Sequence, residues 1–271
     1  MKISELKRFL RSIRMILRLF GAKHETVHIF FKLGCIWRFS DSSNTMTVTL
    51  VGRTMYRTFR CVWMLEELNI PYYQVLAHPK SRLARPHHDL GKIPVLYDDD
   101  VRISESAAIN TYLGDRYGSP GDDGALVPPT PRPLYEQTVS AILTELDAQG
   151  LWIHRKHHAL GQYFGRNPGA VKEAKRNFDA NNNILAKQLV GENYILGESF
   201  SAADILWVHC LDWAETIGWD NSWVEESCTD RLKRYLDRCR SRPAYCRTVL
   251  KRQKESKEES QRQEKSKSSK L

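Results

Sequence analysis

An α/β domain followed by an all-helical domain is the fold class this sequence predicts, and three observations carry it. From Thr47 onward short apolar strands alternate with helical stretches, first as strand-helix-strand and then as strand-strand-helix. Residues 119–133 are rich in proline, glycine and aspartate and break that pattern as a linker. From 134 to about 250 the periodicity is helical throughout. A chain of 271 residues is long enough to give each part its own core.

Within 46–118, residues 47–51 read as a short apolar strand, 56–68 as a helix and 71–76 as a second strand. Residues 93–97 and 101–103 flank Asp98-Asp99-Asp100 as a hairpin, and 105–117 form the next helix. Pro94 cannot donate to a ladder, so it belongs at a strand start or edge. In the second half, helices are expected over 134–158, 168–190 and 202–217, with shorter ones near 230–241 and 243–250. Ser201-Ala-Ala-Asp204 has the spacing of a capping box, a structural device that positions the helix behind it. The run from Lys251 is made of Lys, Glu, Ser and Gln with almost no apolar residue, and residues 251–271 are expected to be a disordered basic tail.

The net charge of +9 is unevenly placed. Residues 1–45 hold nine basic and three acidic residues, and 251–271 hold eight and four, which leaves 24 basic and 25 acidic residues between them. A neutral body argues against nucleic-acid binding, which calls for a basic face on the folded domain. Six cysteines at 35, 61, 210, 228, 239 and 246 show neither CxxC nor zinc spacing, so reduced thiols and no metal are expected. No apolar run approaches the roughly 20 residues of a membrane span; the best, 27–37, is interrupted by Lys32.

The first 20 residues are amphipathic, with Ile3, Leu6, Leu10, Ile13 and Leu17 on one stripe and Lys7, Arg11, Arg14 and Arg18 on another. Such a leader suits an organelle transit sequence, mitochondrial for example, or a helix lying on a membrane surface. Met46, one residue before the first strand, offers the alternative that 1–45 is an extension outside the working protein. The chain closes on Ser269-Lys270-Leu271, the tripeptide read by the peroxisomal import receptor. A peroxisomal location is therefore expected, with the cytoplasm or mitochondrion as the alternative.

The segment Gly91-Lys-Ile-Pro-Val-Leu-Tyr-Asp-Asp-Asp-Val-Arg-Ile-Ser-Glu-Ser-Ala-Ala-Ile109 carries the most chemical information. It ends in a helix whose first turn holds Glu105 and Ser106, and a helix start suits a small anionic group. A cis bond is affordable at Ile93-Pro94 and would turn the Ile93 backbone outward to pair with a peptide-like ligand. This segment is similar to the glutathione-binding half of the glutathione transferase family, from its cis-proline to its Glu-Ser pair. Leu50 to Tyr73 resembles that family's first strand, active turn and first helix, and Phe200-Ser-Ala-Ala-Asp-Ile205 resembles its helical-half capping motif.

The resemblance spans roughly 46 to 250. It implies a thioredoxin-like domain followed by a helical domain, glutathione as co-substrate, a small electrophile or peroxide as second substrate, and a homodimer. It further implies that Ser106 and the helix amides hold the γ-glutamyl carboxylate, Glu105 its ammonium, Ile93-Pro94 the cysteinyl backbone and Lys92 the glycyl carboxylate. In the members most similar in this turn, bacterial and fungal, a serine stands four residues after the glycine. Here that position is Tyr56, followed by Arg57, and Thr54 and Thr58 are neighbouring alternatives for the hydroxyl that stabilises the thiolate. Cys61 falls among Val62, Trp63 and Leu65 and reads as core. Trp152, Arg155 and His158 on the first long helix of the helical half would face the second substrate. The rival readings are a non-catalytic module of the same family serving protein assembly, and a fold carried by a membrane-docking leader.

Overall fold

The computed structural model describes residues 48–118, 125–128, 131–189, 193–219 and 224–268. The leader 1–45, Met46 and Ser269-Lys270-Leu271 lie outside the described residues. In chain order the first half comprises β1 (Val48–Val51), α1 (Thr58–Glu67), β2 (Tyr72–Val75), a 3₁₀ turn (Arg85–His87), β3 (Val95–Asp98), β4 (Val101–Ser104) and α2 (Ser106–Tyr117). The strands lie in the order β2-β1-β3-β4, with β1 parallel to β2 and the other two pairs antiparallel. The parallel pair requires a crossover, which α1 supplies, while β3 and β4 close directly through Asp99 and Asp100. Asp98, buried at the hairpin, accepts from the Tyr112 hydroxyl at 2.8 Å and the Tyr117 hydroxyl at 2.7 Å, which ties the hairpin to α2.

Helix α1 is buried without a break from Thr58 to Leu65, because the sheet covers one side and the helical half the other. A helix buried on all faces carries large apolar residues all round, as Phe59, Val62, Trp63, Met64 and Leu65 do here. The helical half begins with α3, which runs from Arg132–Ala141 through wide π-helical turns at Ile142–Leu151 and Arg155–Ala159, with an α turn Trp152–His154 between them. A short α4 (Gly161–Phe164) precedes α5 (Pro168–Gln188), α6 (Ala202–Thr216), α7 (Glu226–Arg240) and α8 (Pro243–Ser268). The capping motif forms as expected: the Asp204 carboxylate accepts from the Ser201 amide and hydroxyl, each at 2.8 Å, and from the buried Tyr235 hydroxyl at 3.0 Å. Among the described residues no helix is long and apolar enough to cross a membrane.

One expectation is overturned. The chain after Lys251 is not disordered but continues α8 as far as Ser268. The helix lies antiparallel along α1: Arg242 and Arg247 pair with Glu67 and Glu66 at its far end, while Arg252 sits over the Phe59 ring and Glu255 reaches Thr54. Charge composition misreads this segment because its inward stripe, Tyr245, Thr248, Arg252, Glu255 and Glu259, recurs at helical spacing but is mostly polar.

Candidate functional site

Register builds the site at one end of the sheet. Val51 of β1 lies opposite Val95 of β3, and Val95 lies opposite Ser104 of β4. One residue further along each strand brings Gly52, Pro94 and Glu105 to the same edge. The Ile93-Pro94 bond is cis. Gly52 has φ of 137°, and a Cβ there would come within 2.3 Å of the Thr58 hydroxyl and 3.2 Å of the Ile93 Cβ. Only glycine fits between these two residues. The Thr58 hydroxyl, fully buried beside them, has no hydrogen-bond partner among the described residues.

Glu105 holds a left-handed backbone, φ 69° and ψ 117°, and its side chain is exposed. A side-chain-bearing residue in that region costs on the order of 1–3 kcal/mol, and such strain concentrates at functional positions. Ser106 follows as the first residue of α2 and is buried. Its hydroxyl accepts from Arg60 Nη1 at 3.3 Å. Lys92 is exposed on the turn before the cis bond.

Arg60 is a cation with no exposed surface. It pairs with Asp147 Oδ2 at 2.7 Å, and its Nε donates to His209 Nδ1 at 3.1 Å. Asp147 also receives the Arg57 guanidinium, whose Nε donates to Oδ2 at 2.8 Å. Burial alone would raise the Asp147 carboxyl, but Arg60 and Arg57 hold it well below the usual carboxylate range. Burial, reinforced by the Arg60 cation, keeps His209 neutral. Two guanidinium groups on one carboxylate leave a net positive charge between the sheet and the helical half. Asp147 lies in the wide turns of α3, a local geometry that is frequent at functional sites.

Of the three hydroxyl candidates, Thr54 is fully buried and committed to α8, with its amide at 2.9 Å from Glu255 Oε2 and its hydroxyl at 2.6 Å from Oε1. Thr58 stands in the first turn of α1, as counted from the sequence. Tyr56 precedes that helix, is half-buried, and lies 2.9 Å from His78 Nδ1 through its hydroxyl. Burial raises its phenol above the ordinary range; Arg155 opposes that rise, Glu259 adds to it and Arg53 opposes it. The phenol is therefore protonated at neutral pH.

The structure brings two of the three second-substrate candidates to this place. Trp152 lies 5.4 Å from the Arg57 guanidinium, with Trp213 at the same distance from it, and Arg155 acts on Tyr56. His158 is not part of this group. It stacks on His154, one turn earlier, at 4.9 Å, and His154 meets Trp219. Sequence reading missed Asp147, His78, Trp213, Glu255 and Glu259. Asp147 carried a signal, a carboxylate on an otherwise apolar face of a core helix; the others carried none outside the folded chain.

Two family descriptions match: the N-terminal domain of glutathione S-transferase over residues 46–115 and its C-terminal domain over residues 135–238. The chain belongs to the glutathione S-transferase family. Glutathione S-transferase 3 of Schizosaccharomyces pombe is 29% identical over 175 residues, 55% of this chain and 66% of that relative, so the chain spans just under two thirds of its length. The crystal structure of glutathione transferase F2 from Populus trichocarpa superimposes with a TM-score of 0.64 at 18% identity, over 76% of this chain and 99% of that one. A glutathione transferase homologue from Drosophila mojavensis, solved with bound glutathione, gives 0.63 at 20% identity over 77% and 94%. At these identities the structures establish the fold: a thioredoxin-like domain followed by the helical domain of this family.

Proposed function

We propose that this chain is a glutathione transferase that activates the glutathione thiol for attack on an electrophile bearing a negative charge. The convergence of Gly52, cis-Pro94, Glu105 and Ser106 at one sheet edge, with Glu105 held in strained backbone, carries the reading. Ser106 and the amides of α2 receive the γ-glutamyl carboxylate, and the exposed Glu105 its ammonium. The Ile93 backbone pairs with the cysteinyl residue, and Lys92 meets the glycyl carboxylate. Tyr56 faces the sulfur, since Thr54 is already committed to Glu255. A thiol titrates near 8.5 unaided, so a hydroxyl hydrogen bond and the start of α1 are asked for about one unit or more.

Trp152, Trp213, Arg57 and Arg155 supply an aromatic and cationic wall for the second substrate. A homodimer is part of the proposal, and light scattering on the full chain tests it. Ultraviolet difference absorption of glutathione bound to the full chain at neutral pH tests the chemistry, with Tyr56→Phe beside it. A thiolate band lost in the variant supports the proposal. A band retained moves the role to Thr58, whose buried hydroxyl has no partner among the described residues, or to the helix start itself. No binding and no band favours the non-catalytic assembly module.

A further inference from the structure

A hydrogen-bonded chain runs from the active turn to the terminal helix. The Tyr56 hydroxyl lies 2.9 Å from His78 Nδ1, in edge contact of the two rings, and His78 Nε2 lies 2.7 Å from Glu259 Oε1. The other oxygen of Glu259 meets the Arg53 guanidinium at 2.9 Å. In the Nε2–H tautomer of a neutral imidazole, Nε2 donates to the Glu259 carboxylate and Nδ1 is left as an acceptor. Tyr56 is then the donor, and its phenolic lone pairs are left for another donor. The order hydroxyl, imidazole, carboxylate has the same logic as any nucleophile whose base is oriented by a third group.

We propose that His78, held by Glu259, is the final acceptor of the glutathione thiol proton, relayed through Tyr56. The inference rests on the reading that Tyr56 faces the sulfur. The thiol proton passes to the Tyr56 oxygen as the tyrosine proton passes to His78 Nδ1. The sulfur becomes a thiolate, the phenol is regenerated neutral, and the imidazolium is balanced by Glu259. No oxidant or further reactant enters. The burial that keeps the phenol protonated fits a group that passes a proton on without ionising. Among the described residues, the other charges facing this chain are Arg53, which pairs with Glu259, and Arg155, which acts on Tyr56. His78 is a relay residue and Glu259 a positioning residue, and Glu259 belongs to α8, so the terminal helix completes the site.

The test is the pH profile of the bound-thiolate band in the full chain, with glutathione affinity measured by calorimetry at a pH where the thiol stays protonated. His78→Asn keeps a hydrogen-bonding group near Nδ1 without titrating, and Glu259→Gln keeps an acceptor for Nε2–H without charge. The expected result is an apparent thiol pKa raised by about one unit in His78→Asn, a tenfold loss of thiolate below it, and a smaller shift of the same sign in Glu259→Gln. Affinity should stay unchanged in both. Wild-type profiles in both variants, with the band lost in Tyr56→Phe, would overturn the relay and leave Tyr56 in place. A band that survives in Tyr56→Phe, or no binding of glutathione by the wild-type chain, would remove both.

Discussion

Glu255 accepts two hydrogen bonds from one residue, the amide of Thr54 at 2.9 Å and its hydroxyl at 2.6 Å, across 201 positions of sequence. The carboxylate is buried, and the Arg53 guanidinium donates to the Glu255 carbonyl at 3.2 Å. This one side chain satisfies a backbone donor at the end of β1 that no strand reaches. It also fastens α8 to the turn that leads into α1.

Glu255→Ala leaves the Thr54 amide and hydroxyl buried without an acceptor. An orphaned buried donor costs about 1–3 kcal/mol. Urea unfolding of the full chain should show a loss of about 2–3 kcal/mol, and the Thr54 amide should exchange faster in deuterated water. An unchanged midpoint together with unchanged exchange would show that α8 does not fasten the turn.

Asp147→Asn strands the fully buried Arg60 without its counter-charge. Breaking such a pair from one side costs about 3–5 kcal/mol. The carboxyl is held low in the folded protein, so its contribution is complete above the unfolded carboxylate value, near 3.9, and is lost as pH falls through the folded value. The gap in stability between wild type and Asp147→Asn should therefore be full at pH 7 and shrink as the pH falls below about 4. A gap that is constant with pH would assign the loss to packing.

The sheet half was legible because its information is local. Alternating strands, Pro94 at a strand start and Glu105-Ser106 at a helix start each have a short-range cause, and register alone then collects them at one edge. The polar half of the site was not legible, for a physical reason. Glu255 and Glu259 become useful only because α8 lies antiparallel to α1, and a charged stripe gives no hydrophobic periodicity to announce a helix. His158 stands six residues from Trp152, which on a regular helix already turns it about 120° away, and it packs on His154 one turn earlier.

Glu105 separates stability from binding. Glu105→Gly relieves a left-handed backbone costing about 1–3 kcal/mol, set against the entropy of a glycine, about 0.5–1 kcal/mol. Unfolding should show stability raised by about 1–2 kcal/mol. Glutathione affinity should fall at least about tenfold through the lost carboxylate. Glu105→Ala keeps the strain and loses the same affinity without the gain. Equal stability of the two variants would show that the strain is absorbed elsewhere.

Arg155 tests the charge of the second substrate. It stands near enough to Tyr56 to oppose the rise of its phenol pKa, and unlike Arg57 it has no carboxylate partner among the described residues. In Arg155→Ala, kcat/KM for a carboxylate-bearing electrophile should fall about three- to fivefold relative to a neutral electrophile of the same shape, since a partly exposed charge contact is worth up to about 1 kcal/mol. Raising the salt on the wild-type enzyme should narrow the same preference, because a Debye length near 10 Å at 0.1 M shortens to about 3 Å at 1 M. The neutral electrophile isolates the effect: a fall shared equally by both substrates would mean that Arg155 acts through Tyr56 and not on the substrate's charge.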